Sequence, residues 1–156
     1  MTEGSMSSIT GGTILRVGFS GHRDLLIDPV KLTRWLLSIW RKHPSATWVH
    51  GGARGFDMMV HAFILAHDVP HEIIRPDYSM YPPRVAPLKR NIQIVDSCDA
   101  MVFFWDGRTY GGTYQARQYA ESRKSISPAP ILDLDPAALA PEPCIQKRDR
   151  PSPDLA

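Results

Sequence analysis

The chain has 156 residues, 43% of them hydrophobic and 22% charged, with a formal net charge of +2. That is ordinary soluble composition at a length for one domain, one that can bury roughly 70% of its unfolded surface without a covalent staple. Cys98 and Cys144 are the only cysteines, far apart and in no C-x-x-C pair, which excludes a disulfide scaffold and a zinc ribbon and fits a reducing compartment. Residues 1–13 are rich in Ser, Thr and Gly, lack the apolar core of a signal peptide, and read as a mobile segment.

An apolar run predicts a buried strand over 14–20. Asp28 and Pro29 then supply an N-cap and a first-turn proline. Leu32, Trp35, Leu36, Ile39 and Trp40 follow as one helical stripe, which His43-Pro44 ends. Strands are expected over 47–50 and 71–75, around a helix over 56–67 that is apolar nearly all round. A proline-rich loop covers 76–86. A helix over 87–97 places Leu88, Ile92 and Val95 on one face, 100–105 is the most apolar strand, and 113–123 the last clear helix. No apolar run can span a bilayer. Seven of the fourteen prolines fall in 125–156, which reads as a loosely ordered tail with one edge strand over 130–134. The compact domain is then 14–124. Strand–helix alternation with short links implies a mostly parallel sheet covered on both faces, a Rossmann-like three-layer α/β sandwich.

In such sheets ligands sit outside the carboxyl ends of the strands. Ser20, Gly21, His22 and Arg23 follow the first strand, and Gly51, Gly52, Arg54, Gly55 and Asp57 follow the second. Asp106, Gly111, Gly112 and Thr113 follow the fourth. Glycines let backbone amides approach a ligand, amides and a helix N-terminus together make an anion site, and Arg23, Arg54 and Arg108 can fork onto phosphate. This pattern points to a phosphate-bearing ligand. Other motifs are missing: there is no G-x-x-x-x-G-K-[ST] loop, no G-x-G-x-x-G after the first strand, and no complete nucleophile elbow around Ser20. His61 and His67 lie six apart on different helix faces, so no metal site is expected. His50 ends its strand as a ligand contact or a structural hydrogen-bonder. Asp57 is a helix-dipole partner or cap, or a ribose or base contact.

The segment Gly51-Gly52-Ala53-Arg54-Gly55-Phe56-Asp57 resembles the G-x-A-R-G-x-D signature of the YspA/YpsA-related branch of the SLOG superfamily. Lys89-Arg90-Asn91 is similar to that branch's Arg-Asn at the next helix start. Phe103-Phe104-Trp105-Asp106-Gly107 with Gly111-Gly112-Thr113 resembles its F-W-D-G…G-T segment. Gly21-His22-Arg23 looks like its first loop, so the likeness runs from about Val17 to Ala120. The resemblance implies a Rossmann-like domain binding nucleotides or nucleotide-derived ligands. The superfamily also includes LOG-type phosphoribohydrolases, DprA-type DNA-binding proteins and sensor domains. The phosphoribohydrolases carry P-G-G-x-G-T-x-x-E, and here Ala116 stands at the glutamate position.

The leading expectation is a cytoplasmic, cofactor-free binding protein for a nucleotide or nucleotide-derived signal. Arg23, Arg54 and Arg90 would supply positive charge, Asn91 would join them, and Asp57 or Asp106 would take ribose hydroxyls. The alternative is a nucleotide N-glycosidase whose displaced catalytic carboxylate is Asp57 or Asp106. DNA binding is weaker, because no aromatic–basic stripe appears along the chain. The helix over 56–67 predicts a homodimer, since a small sandwich covers only one of its sides.

Overall fold

The computed structural model describes residues 14–125 and 130–143. The expectations for 1–13, for Cys144 and for the rest of the tail lie outside the described residues.

Five strands form one all-parallel sheet: β1 (Arg16–Gly21), β2 (Thr47–His50), β3 (His71–Ile73), β4 (Ala100–Phe104) and β5 (Ile131–Leu134), in the order β3-β2-β1-β4-β5. β1 is central, with Val17 opposite both Trp48 and Ala100. Helices cover both faces, which is the expected Rossmann-like sandwich. On one face α1 (Pro29–Lys42) and α2 (Phe56–His67) bury Leu32, Leu36, Val60, Phe63 and Ile64 against Phe19, Trp48 and Phe104. On the other, α3 (Ala86–Ser97) and α4 (Gly112–Ser122) bury Ile94, Val95, Ala116 and Ala120 against Val49, Met101 and Phe103. A single 3₁₀ turn, Arg123–Ser125, follows α4.

Local chemistry explains the boundaries. The Asp28 carboxylate accepts from the Val30 amide at 2.8 Å, Pro29 occupies a position needing no donor, and Arg41 and Lys42 sit at the negative end of α1. β3 is two residues shorter than predicted, although the Ile74 amide still reaches His50 O at 2.9 Å.

Two readings are corrected. Of the expected face Leu88, Ile92 and Val95, only Val95 is buried; it is joined by Ala86, Arg90 and Ile94 in place of Leu88 and Ile92. A buried arginine broke the apolar periodicity on which the prediction rested. The stretch 130–143, assigned to a loosely ordered tail, carries a helical turn, α5 (Pro136–Leu139), besides the expected edge strand. Two of its prolines occupy positions that need no amide donor: Pro130 precedes β5, and Pro136 opens α5 behind the Asp135 cap. Leu139 is buried, its carbonyl accepts from the Asp28 amide at 2.7 Å, and Lys31 Nζ donates to Ala140 O. No helix among the described residues is long and apolar enough to cross a membrane.

Candidate ligand-binding site

The strand order reverses direction between β1 and β4, so the loops after them lead to helices on opposite faces of the sheet. At such a switch point the chain leaves a crevice. Here it is a cleft of about 470 Å³ lined by Ser20, Gly21, His22, Arg23 and Asp24 after β1, Ala53 and Asp57 after β2, and Arg84, Pro87, Leu88, Arg90 and Asn91 around the start of α3. Arg108, Gly111, Gly112 and Thr113 close it from the β4 side. The N-caps of α2 and α4 are Gly55 and Gly111, and neither helix start has a side-chain cap. Two sets of first-turn amides therefore lack the usual side-chain partner, at the positive ends of two helices.

On the β2 side the charges are buried. Asp57 is 5% exposed. Its Oδ2 accepts from the Gly51 amide at 3.2 Å and the Ala53 amide at 3.3 Å, so the carboxylate holds the β2–α2 loop from within. Its Oδ1 is buried with no hydrogen-bond partner. Burial pushes the Asp57 carboxyl up to about 6, against the pull of the two amides and of the Arg90 and Arg23 charges. Arg90 is also buried; it donates to the carbonyls of Gly51 and Ile74, and its Nε to Asn91 Oδ1 at 2.9 Å. Burial pulls its guanidinium below the ordinary arginine value, with Asp57 opposing. Asn91 Nδ2 reaches Gly112 O at 3.5 Å, linking the starts of α3 and α4.

On the β4 side the charges are exposed and paired. Arg108 donates Nε and Nη2 to both Asp106 oxygens and Nη1 and Nη2 to Asp24, at 2.8–3.3 Å. Those hydrogen bonds hold the Asp106 carboxyl far below the usual carboxylate range and lower Asp24 as well. His22 is buried, which lowers its pKa; its Nε2 accepts from the Asp106 amide at 3.3 Å and lies 3.2 Å from Asp106 Oδ1.

Ser20, Gly21, His22, Arg23, Asp57, Arg90, Asn91, Gly111, Gly112 and Thr113 thus meet in one cleft. Gly51, Gly52, Arg54, Gly55 and Asp106 are not among its lining residues. Arg54 is exposed to solvent. Three of these glycines serve close packing instead. A side chain at Gly51 would meet the Arg90 guanidinium, one at Gly52 would meet Arg75, and one at Gly55 would lie 2.7 Å from the Arg23 backbone. At Gly52 and Gly55 a positive φ adds strain to any substitution. His50 is fully buried and outside the cleft. Ala116, at the position of the phosphoribohydrolase glutamate, packs in the core beneath α4.

The sequence reading passed over Asp24, Ala53, Arg84, Pro87 and Leu88, and it left Arg108 among loop arginines. Arg84 had no motif to flag it, since the β3–α3 loop carries no glycine cluster. The fold also gathers Arg23, Arg54, Arg75, Arg84 and Lys89 at one end of the sheet. Among the described residues none of them makes an ion pair. No cluster of three or more His, Cys, Asp or Glu among the described residues is placed to hold a metal ion. Neither a protein-family model nor a curated protein matches the chain.

Proposed function

We propose that the chain binds a nucleotide or a nucleotide-derived signalling ligand in the cleft at the carboxyl ends of β1, β2 and β4. The observation that carries this reading is the unpartnered Asp57 oxygen in an arginine-lined cleft. A buried carboxylate oxygen calls for a hydroxyl or N–H donor. Arg23, Arg84 and the two uncapped helix starts call for an anion. A sugar phosphate supplies both, and about 470 Å³ lies within the roughly 300–1,000 Å³ of small-molecule sites. The resemblance to the SLOG superfamily agrees with this reading and belongs to the same proposal, as does a cytoplasmic setting. Native mass spectrometry of the purified chain against a panel of nucleoside mono-, di- and triphosphates and dinucleotides tests it. Retention of at least one, lost on Asp57→Asn, is expected; retention of none contradicts the reading.

A second reading has its own support. Asp57, raised to about 6, stands in the range where a carboxyl can give or take a proton at neutral pH. Asp106 is engaged by Arg108, which leaves Asp57 as the carboxylate for an N-glycosidase. Free base released at roughly 1 s⁻¹ and abolished by Asp57→Asn would establish the enzyme over the binder.

The homodimer belongs to this proposal too. Val60, Phe63 and Ile64 of α2 are buried, while Met58 (45% exposed), Ala62 and Leu65 (65% exposed) form an outward stripe at i, i+4 and i+7. A dimer by light scattering at micromolar concentration, converted to monomer by Leu65→Lys, is the expected result.

A further inference from the structure

The three histidines around the end of β2 are absorbed neither by the cleft nor by the core. His50 ends β2, His61 lies on α2 and His71 opens β3. The Gly52 amide donates to His50 Nδ1 at 2.9 Å. An amide can only donate, so His50 Nδ1 is unprotonated and a neutral His50 carries its proton on Nε2. That Nε2 lies 3.1 Å from His61 Nδ1, which must therefore accept. The His61 and His71 ring centroids are 5.3 Å apart, and His71 Nδ1 donates to Val69 O at 3.0 Å. Each proton position in the array thus follows from the Gly52 amide and the Val69 carbonyl.

An extra proton has no place between His50 and His61. On His61 Nδ1 it would face the Nε2–H of His50, and on His50 Nδ1 it would face the Gly52 N–H. The groups that face His50 from the neighbouring elements are His61 from α2, His71 from β3, Arg75 beyond β3 and Arg90 from α3, and each disfavours a protonated His50. The carboxylate nearest in the chain is Asp57, one turn before His61, and it is committed to the Gly51 and Ala53 amides. Those two amides and Gly52 are consecutive in the β2–α2 loop, which meets the cleft at Ala53.

We propose that His50 and His61 position the β2–α2 loop through the Gly52 amide, and that one proton taken up by the pair withdraws this support. The pair acts by positioning, and its relevance to a ligand rests on the reading of the cleft given above. The test uses the full chain without ligand, so it stands apart from the nucleotide panel. ¹H–¹⁵N spectra of the Gly51, Gly52 and Ala53 amides and ¹⁵N shifts of the histidine rings are followed as pH falls. The Gly52 resonance is expected to shift with one midpoint below about pH 6.5, coincident with that of the His50 ring, which burial lowers. His61→Gln, whose side-chain oxygen can accept from His50 without titrating, is expected to remove that shift, while His67→Gln, on the far side of α2, keeps it. A Gly52 amide that stays fixed while the pair titrates, or a full response that persists in His61→Gln, would overturn the proposal. Failure of every nucleotide to bind would strike the functional reading alone.

Discussion

Two arginine–carboxylate groups face each other across the same cleft and solve opposite problems. Around Arg108, both carboxylates are exposed, fully hydrogen-bonded and held firmly ionised. Around Arg90, the charges are buried, Arg90 spends its donors on backbone carbonyls, and Asp57 keeps one oxygen without a partner. An exposed, satisfied pair ties the β1–α1 and β4–α4 loops together and gains little from a ligand. A buried, half-satisfied carboxylate raises the free energy of the empty site and gains most when a donor arrives. On the proposed function, ligand chemistry belongs to the β2 side of the cleft and loop fastening to the β4 side.

The largest effect is expected where a buried charge is removed. Arg90→Leu strips the Gly51 and Ile74 carbonyls of a charged donor and leaves Asp57 without its nearest compensation, at a cost of about 2–4 kcal/mol in urea unfolding. Adding Asp57→Asn is expected to restore part of it, a coupling above about 0.5 kcal/mol; strict additivity would separate the two residues.

Next comes the pH profile. Burial lowers His50 to about 4. As pH falls from 6.5 towards 4 the unfolded chain takes up a proton that the folded His50 refuses, so His50 makes the fold less stable in acid. Asp57, raised to about 6, keeps its proton when folded after the unfolded chain has lost it, so over about pH 3.8 to 6 it favours the fold in acid and weakens it as pH rises. Each contributes at most about 3 kcal/mol, with opposite sign, and the wild type is expected to be nearly flat between about pH 4 and 6.5. Asp57→Asn removes one slope: the variant is expected to be no less stable than wild type at pH 7 and to lose up to about 3 kcal/mol by pH 4. Parallel profiles for the two proteins would refute the assignment.

Smaller effects are expected outside the cleft. Arg54→Ala is expected to change ligand affinity by less than about threefold, against about 10- to 100-fold for Arg23→Ala, because Arg23 lines the cleft and Arg54 does not. Asp106→Asn is expected to leave ligand affinity unchanged and to lower the thermal midpoint only slightly. A large loss of affinity would move ligand chemistry to the β4 side.

Much of the architecture was legible because parallel strands and their covering helices write themselves as apolar runs and helical stripes. α5 was not, since four residues around a proline carry no periodicity, and their order comes from Leu139 and the Asp28 amide. The strand-end rule brought Asp57, Arg23 and Thr113 into view. It could not separate glycines that approach a ligand from those that make room for Arg90, Arg75 or the Arg23 backbone. Nor could it distinguish Asp57 from Asp106, because the distinction is made by Arg108 on one side and by burial on the other. Arg84 and the His50–His61 contact join residues whose proximity depends on how helices lie against the sheet.

The most direct test of the central claim is calorimetric titration of the nucleotide retained by the wild-type chain into wild type, Asp57→Asn and Asp106→Asn at pH 7. Saturable one-site binding that falls about 10- to 100-fold in Asp57→Asn and is unchanged in Asp106→Asn is the predicted result. No binding by any nucleotide, or binding that survives Asp57→Asn undiminished, would contradict it.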